Sequence, residues 1–103
     1  MITRVYHQWS YYTKIHFPSV FGPRYLIVWQ PNHVTKIHDH DGNDCTYSIL
    51  YGKLEENVYG IEVNGHKKNN YKCFETGFVG KEYKHNMRNH NDNKISISYH
   101  VYK

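Results

Sequence analysis

Nine histidines in a chain of 103 residues make metal binding the first chemistry to consider, because a neutral imidazole ligates transition metals through either ring nitrogen. The most telling arrangement is His38-Asp39-His40. Side chains alternate along a strand, so both imidazoles would leave one face about 7 Å apart and clasp a single ion. A third imidazole is offered by His85, at the head of His85-Asn86-Met87-Arg88-Asn89. Shortly after His40 come Asp44 and Cys45. On a regular strand only one of them faces the site, either a carboxylate that could be a fourth ligand or a thiol in the pocket. Near the C-terminus Ser96, Ser98, His100 and Tyr102 form one face of a strand, and Ile95, Ile97, Tyr99 and Val101 form the other. An ordinary sandwich would turn the polar row to water; a barrel with a polar site inside would invert it. Periodicity allows both.

These groups need strands to hold them, and the chain is written for strands. Aromatic residues make up 17% of it, eleven of them tyrosine, a composition that favours β structure. Turn signals recur at short intervals: Pro18, Gly22-Pro23, Pro31-Asn32, Asp41-Gly42-Asn43-Asp44, Asn64-Gly65 and Asn91-Asp92-Asn93,. Between them we expect strands at 25–30, 34–40, 45–51, 53–63, 71–75, 76–79 and 94–102. Asn64-Gly65 reads as a two-residue hairpin turn, with His66-Lys67-Lys68 at its solvated tip,. The expected fold class is all-β: one domain over residues 1–103, closed as a small antiparallel barrel or jelly roll, since closure removes exposed edges.

Composition also narrows the partners. The formal net charge is +4, but the cations are scattered and no nucleic-acid motif frames them, so no nucleic-acid partner is expected. No apolar run reaches membrane-spanning length, and no signal peptide is recognisable at the start. The expectation is a cytoplasmic protein without membrane contact, a monomer or weak dimer. In a reducing compartment Cys45 and Cys73 would stay unpaired.

The segment Ile37-His38-Asp39-His40, a turn, Cys45 and then Gly52 resembles the first cupin motif, with cysteine where most cupins carry glutamate. His85 to Asn89 resembles the end of the second. The likeness sharpens to one family: Trp29 through Cys45 and Ser98-Tyr99-His100-Val101-Tyr102 resemble cysteine dioxygenase, and Tyr12-Thr13-Lys14 resembles that family's Tyr-Thr-Arg segment. The resemblance implies a shortened cupin barrel in which His38, His40 and His85 hold iron(II). It also implies that Cys45 and Tyr102 lie within reach of a thioether crosslink, while Ser98 and His100 orient the Tyr102 hydroxyl. The implied reaction takes a small thiol and dioxygen to the sulfinic acid, with cysteine or a close relative as substrate.

Two features depart from the family. The arginine that clamps the substrate carboxylate is replaced by Lys14, a point charge instead of a planar fork,. Arg24 is an alternative clamp and Lys36 ranks third; Tyr12 belongs with them at the substrate. The chain is also shorter than is usual in the family, which keeps a second function open: a metal-binding cupin without thiol dioxygenase activity, either another enzyme or a binding and regulatory protein. Spacing from His40 favours Cys45 over Asp44 as the inward residue. Cys73, Trp9 and Trp29 are expected to pack in the core, and His7, His16, His33, His66 and His90 to make ordinary core or surface hydrogen bonds.

Overall fold

Short runs of β-branched and aromatic residues, each too short for a helix to bury, pair instead as strands. The structure, a computed structural model, describes all residues except 18–21, 39–41, 61–62, 82, 92 and 103, and for 63–66 the backbone alone. The described strands are β1 (Ile2–His7), β2 (Ser10–Phe17), β3 (Arg24–Trp29), β4 (Cys45–Tyr51), β5 (Leu54–Gly60), β6 (Val63–Tyr71), β7 (Thr76–Val79), β8 (Lys84–Arg88) and β9 (Ser96–Tyr102). They form a six-stranded sheet in the order β1-β2-β3-β9-β4-β7 and a three-stranded sheet in the order β6-β5-β8. All the strand pairings are antiparallel. The fold is all-β, as expected.

The core lies between the two sheets. Ile27, Trp29, Cys45, Tyr47 and Ile49 from the larger sheet meet Leu54 and Met87 from the smaller. Burying a large apolar side chain is worth about 1.5–3 kcal/mol, so this cluster sets the spacing of the sheets. Strand β9 settles the question its periodicity left open. Ser96, Ser98 and His100 are buried, whereas Ile97, Tyr99 and Val101 are partly exposed. The polar row faces inward, so the interior is built to hold hydrogen-bonding chemistry.

Several expectations need correction. Residues 34–40 do not form a continuous strand: the described part touches β8 through isolated bridges, Val34 to Arg88 and His38 to His85. Residues 72–75 form a turn, in which the Glu75 carboxylate accepts the Lys72 N–H at 2.6 Å. Asn64 and Gly65 lie within β6 and not in a turn, and the pairing of β5 with β6 runs as far as Gly60 with Val63. The physical reason is register, because this pairing places Asn69 opposite Glu56 and Tyr71 opposite Leu54, and Asn69 then donates to the buried Glu56 carboxylate at 3.3 Å. Trp9 and Cys73 are exposed instead of packed. Trp9 follows Gln8, whose positive φ of 59° turns the β1–β2 hairpin; a side chain at such a tip has no layer to cover it.

Candidate functional site

The site grows from the bridge that joins residues 34–38 to β8. His38 N–H donates to the His85 carbonyl at 2.9 Å and His85 N–H donates to the His38 carbonyl at 2.8 Å. This reciprocal pair fixes both Cα atoms, and the two imidazole rings meet edge to face with centroids 4.6 Å apart. Each ring is also held through Nδ1. His38 Nδ1 donates to the Lys36 carbonyl at 2.7 Å, and His85 Nδ1 donates to the Glu56 carboxylate at 2.8 Å. An acceptor at Nδ1 fixes the tautomer and makes Nε2 the nitrogen with the lone pair. Two imidazoles so oriented suit one metal ion. His40 lies outside the described residues; among the described residues no group of three candidate ligands is assembled.

The second wall comes from β9, β4, β3 and β2. Antiparallel pairing sets Cys45 directly opposite Tyr102, a relation that brings Cβ atoms to about 5 Å. Cys45 is fully buried, and burial together with the Glu56 carboxylate pushes its thiol up to about 12, against the opposing pull of Lys14. It is a protonated thiol at neutral pH. His100 Nδ1 lies 3.8 Å from Cys45 Sγ, and His100 Nε2 lies 2.7 Å from Ser98 Oγ. Trp29 Nε1 donates to the same Ser98 oxygen at 2.8 Å. Because the indole can only donate, a chain that uses each hydrogen runs from Trp29 to Ser98 to His100 and aims Nδ1–H at the sulfur. Tyr47 stacks on His100 with ring centroids 5.4 Å apart and closes the floor.

Lys14 and Arg24 part company here. Lys14 is partly buried on the inward face of β2, its Nζ 3.9 Å from the centroid of the Tyr25 ring and 5.9 Å from that of Tyr102. Burial lowers its pKa and Cys45 works the other way, so ammonium and thiol share one environment. Arg24 lies one residue out of phase with Tyr25 on β3 and bonds the Tyr99 hydroxyl at 3.3 Å, on the face that looks away from Tyr102. Lys36 gives its carbonyl to His38 and has an exposed side chain. Tyr12 packs against Trp29 and, with His38, lines a cavity of about 210 Å³. Asp44 accepts the Lys81 N–H at 2.8 Å, and that bond holds it in the loop before β4.

Residues 21–103 match the family model of cysteine dioxygenase type I. The chain belongs to the cysteine dioxygenase type I family. Tyr12 and Lys14 precede the matched span, whereas the two histidine motifs, Cys45 and the β9 row lie inside it. The fold of this cysteine dioxygenase-type chain is that of the cupins. It is similar to a predicted oxalate decarboxylase from Thermotoga maritima, with a TM-score of 0.80 at 18% identity, covering 98% of this chain and 90% of that one. It is also similar to the Drosophila melanogaster CENP-C cupin domain, with a TM-score of 0.78 at 7% identity, covering 99% and 75% of the two chains. The Schizosaccharomyces pombe Cnp3 cupin domain gives 0.74 at 13% identity, covering 88% and 59%. The search of curated proteins finds no match.

One buried residue at the site was not singled out by motif, and one that was has a structural part that the motif did not announce. Glu56 is fully buried and holds His85; its signal was a Glu-Glu pair inside an expected strand, too common a pattern to notice. Asn89, read as the end of a motif, staples the end of β3 to the stretch that leads into β9. Its amide donates to the carbonyls of Trp29, Gln30 and Lys94 at 3.3, 3.2 and 2.9 Å, and its oxygen accepts the Ser96 hydroxyl at 3.2 Å.

His33 departs from its expected hydrogen bonding: it is fully buried between Tyr12 and Trp29, and neither ring nitrogen has a hydrogen-bond partner among the described residues. Burial first and His7 second pull its pKa from 6.5 to about 4. The unfolded chain therefore takes up this proton before the folded one does. Stability from His33 is intact above pH 6.5 and falls as pH drops toward 4, by about 3 kcal/mol in all. Urea midpoints at pH 7 and 4.5 should show the loss in the parent protein and a clearly smaller one in His33→Gln; equal losses would remove His33 as the cause.

Proposed function

We propose that this protein is an iron(II)-dependent thiol dioxygenase that converts cysteine, or a similar small thiol, and dioxygen to the sulfinic acid. The observation that carries the reading is the pairing of Cys45 with Tyr102 across β4 and β9, with Lys14 beside both. A generic cupin has no use for a tyrosine facing a cysteine inside its barrel. His38 and His85 have the tautomer and approach that suit a metal ligand, and His40, two residues from His38, completes the set by sequence.

Iron held by these imidazoles would supply open coordination positions for a substrate thiolate and dioxygen, with a positive charge that three neutral ligands leave uncompensated. The chain's own groups do the rest. Lys14 gives the substrate carboxylate a cation inside a partly dry cavity. The Tyr102 phenol donates a hydrogen bond or proton as negative charge develops beside it, and His100, held by Ser98, keeps that wall in place. Tyr12 and Trp29 keep water away from the reacting end.

The test is an anaerobic iron reconstitution followed by oxygen uptake with a panel of small thiols. Sulfinic acid formed in step with oxygen consumed is the expected result, and a fraction of the protein should lose two hydrogens in intact mass as Cys45 and Tyr102 join. No uptake with any thiol by the iron-loaded protein would defeat the reading. It would favour a binding cupin, for which the exposed Trp9, Phe74 and Phe78 and the similarity to the CENP-C domain, also solved bound to CAL1, provide the motive.

A further inference from the structure

Glu56 is a buried carboxylate with an unusual set of neighbours. Its Oε2 accepts His85 Nδ1–H at 2.8 Å, and its Oε1 lies 3.3 Å from Asn69 Nδ2 and 3.5 Å from the Tyr71 hydroxyl. Both Glu56 and His85 have essentially no exposed side-chain surface. Next door, Glu55 takes the basic groups, pairing with Lys68 and His90. Among the described residues the ion-pair partner of Glu56 is His85 alone. Three hydrogen-bond donors satisfy the oxygens but do not cancel a full negative charge taken out of water, and an uncompensated buried charge is costly.

Building on the metal reading above, we infer that Glu56 is a positioning residue for the metal: it locks His85 as the Nδ1–H tautomer and supplies the buried countercharge that a cation on Nε2 completes. Coupling of this kind is reciprocal. A cation bound by His38 and His85 stabilises the Glu56 carboxylate, and the carboxylate strengthens the hold on the cation by the same factor. Its field is already felt at the site, where burial first and Glu56 second raise the Cys45 thiol and the Tyr47 phenol. A carboxylate behind a ligating imidazole typically changes metal affinity tenfold to a hundredfold.

The experiment uses the full chain and Co(II) as the probe, with affinity read by competition against a chromophoric chelator. Glu56→Gln keeps the shape and a hydrogen-bond acceptor and removes the charge. We expect it to bind Co(II) about tenfold to a hundredfold more weakly, while the metal-free variant melts at or above the parent's temperature because a buried charge is gone. Nitrogen NMR of the metal-free parent, which needs no variant to fold, should show His85 protonated at Nδ1. Equal Co(II) affinity in Glu56→Gln and the parent, with His38→Ala losing it, would overturn the role of Glu56 alone, as would a His85 protonated at Nε2. A parent that binds no Co(II) would overturn the metal reading itself and this inference with it.

Discussion

Replacing His38 or His85 with alanine is expected to take bound iron from close to one per chain to background after anaerobic reconstitution, a loss of more than a hundredfold in affinity. The two variants differ in what else they disturb. His85 is buried, and its removal strips the Glu56 carboxylate of its 2.8 Å donor. Such an orphaned group costs about 1–3 kcal/mol or more, so His85→Ala should lose stability as well as metal. His38 is only partly buried, at the edge of a cavity, and bonds a backbone carbonyl, so His38→Ala should lose metal with little change in melting temperature. His40→Ala belongs in the same series. Iron retained by all three variants would show that the site lies elsewhere.

The second large effect is expected at Lys14. Its ammonium stands over Tyr25 and near Tyr102, and it is the cation that the proposed function assigns to the substrate carboxylate. Removing one charge-assisted bond to a carboxylate costs about 1.5–3 kcal/mol, roughly tenfold to a hundredfold in kcat/KM. Lys14→Ala should show that loss with cysteine and much less with cysteamine, which carries no carboxylate. Arg24→Ala should change neither, because Arg24 is engaged with Tyr99 on the outer face. Equal losses for both thiols in Lys14→Ala would mean that Lys14 supports the fold and not the substrate. Lys14→Arg separates charge from shape, since the guanidinium restores the charge and offers two prongs.

How much of this was legible in the sequence depended on which physical signal each residue carried. Strands β4 and β7 were read at their full limits, and β3 and β9 to within a residue or two, because β-branched and aromatic residues alternate between clear turn signals. Strand β6 was assigned to a turn and a solvated tip since Asn, Lys and His dominate it. It forms because β5 offers a ladder and Glu56 needs Asn69 and Tyr71, a tertiary demand that no local pattern announces. The N-terminal hairpin of β1 and β2 was passed over because its strands are broken by polar residues. At the site, motif spacing led to His38, His85, Cys45 and the β9 row; strand alternation allowed only one of Asp44 and Cys45 inward, and spacing from His40 chose Cys45. The same logic could not find His33 or Glu56, whose importance lies in what surrounds them.

The two tryptophans end up in opposite surroundings, and that gives the molecule an optical reporter of its own. Trp9 stands fully in solvent, whereas Trp29 is buried, donates to Ser98 and lies with its ring 6.4 Å from His100. Aqueous quenchers will therefore silence one indole and spare the other. What remains is the blue-shifted emission of a ring beside the Cys45 and His100 wall, so that filling of the site can be followed by light without any label.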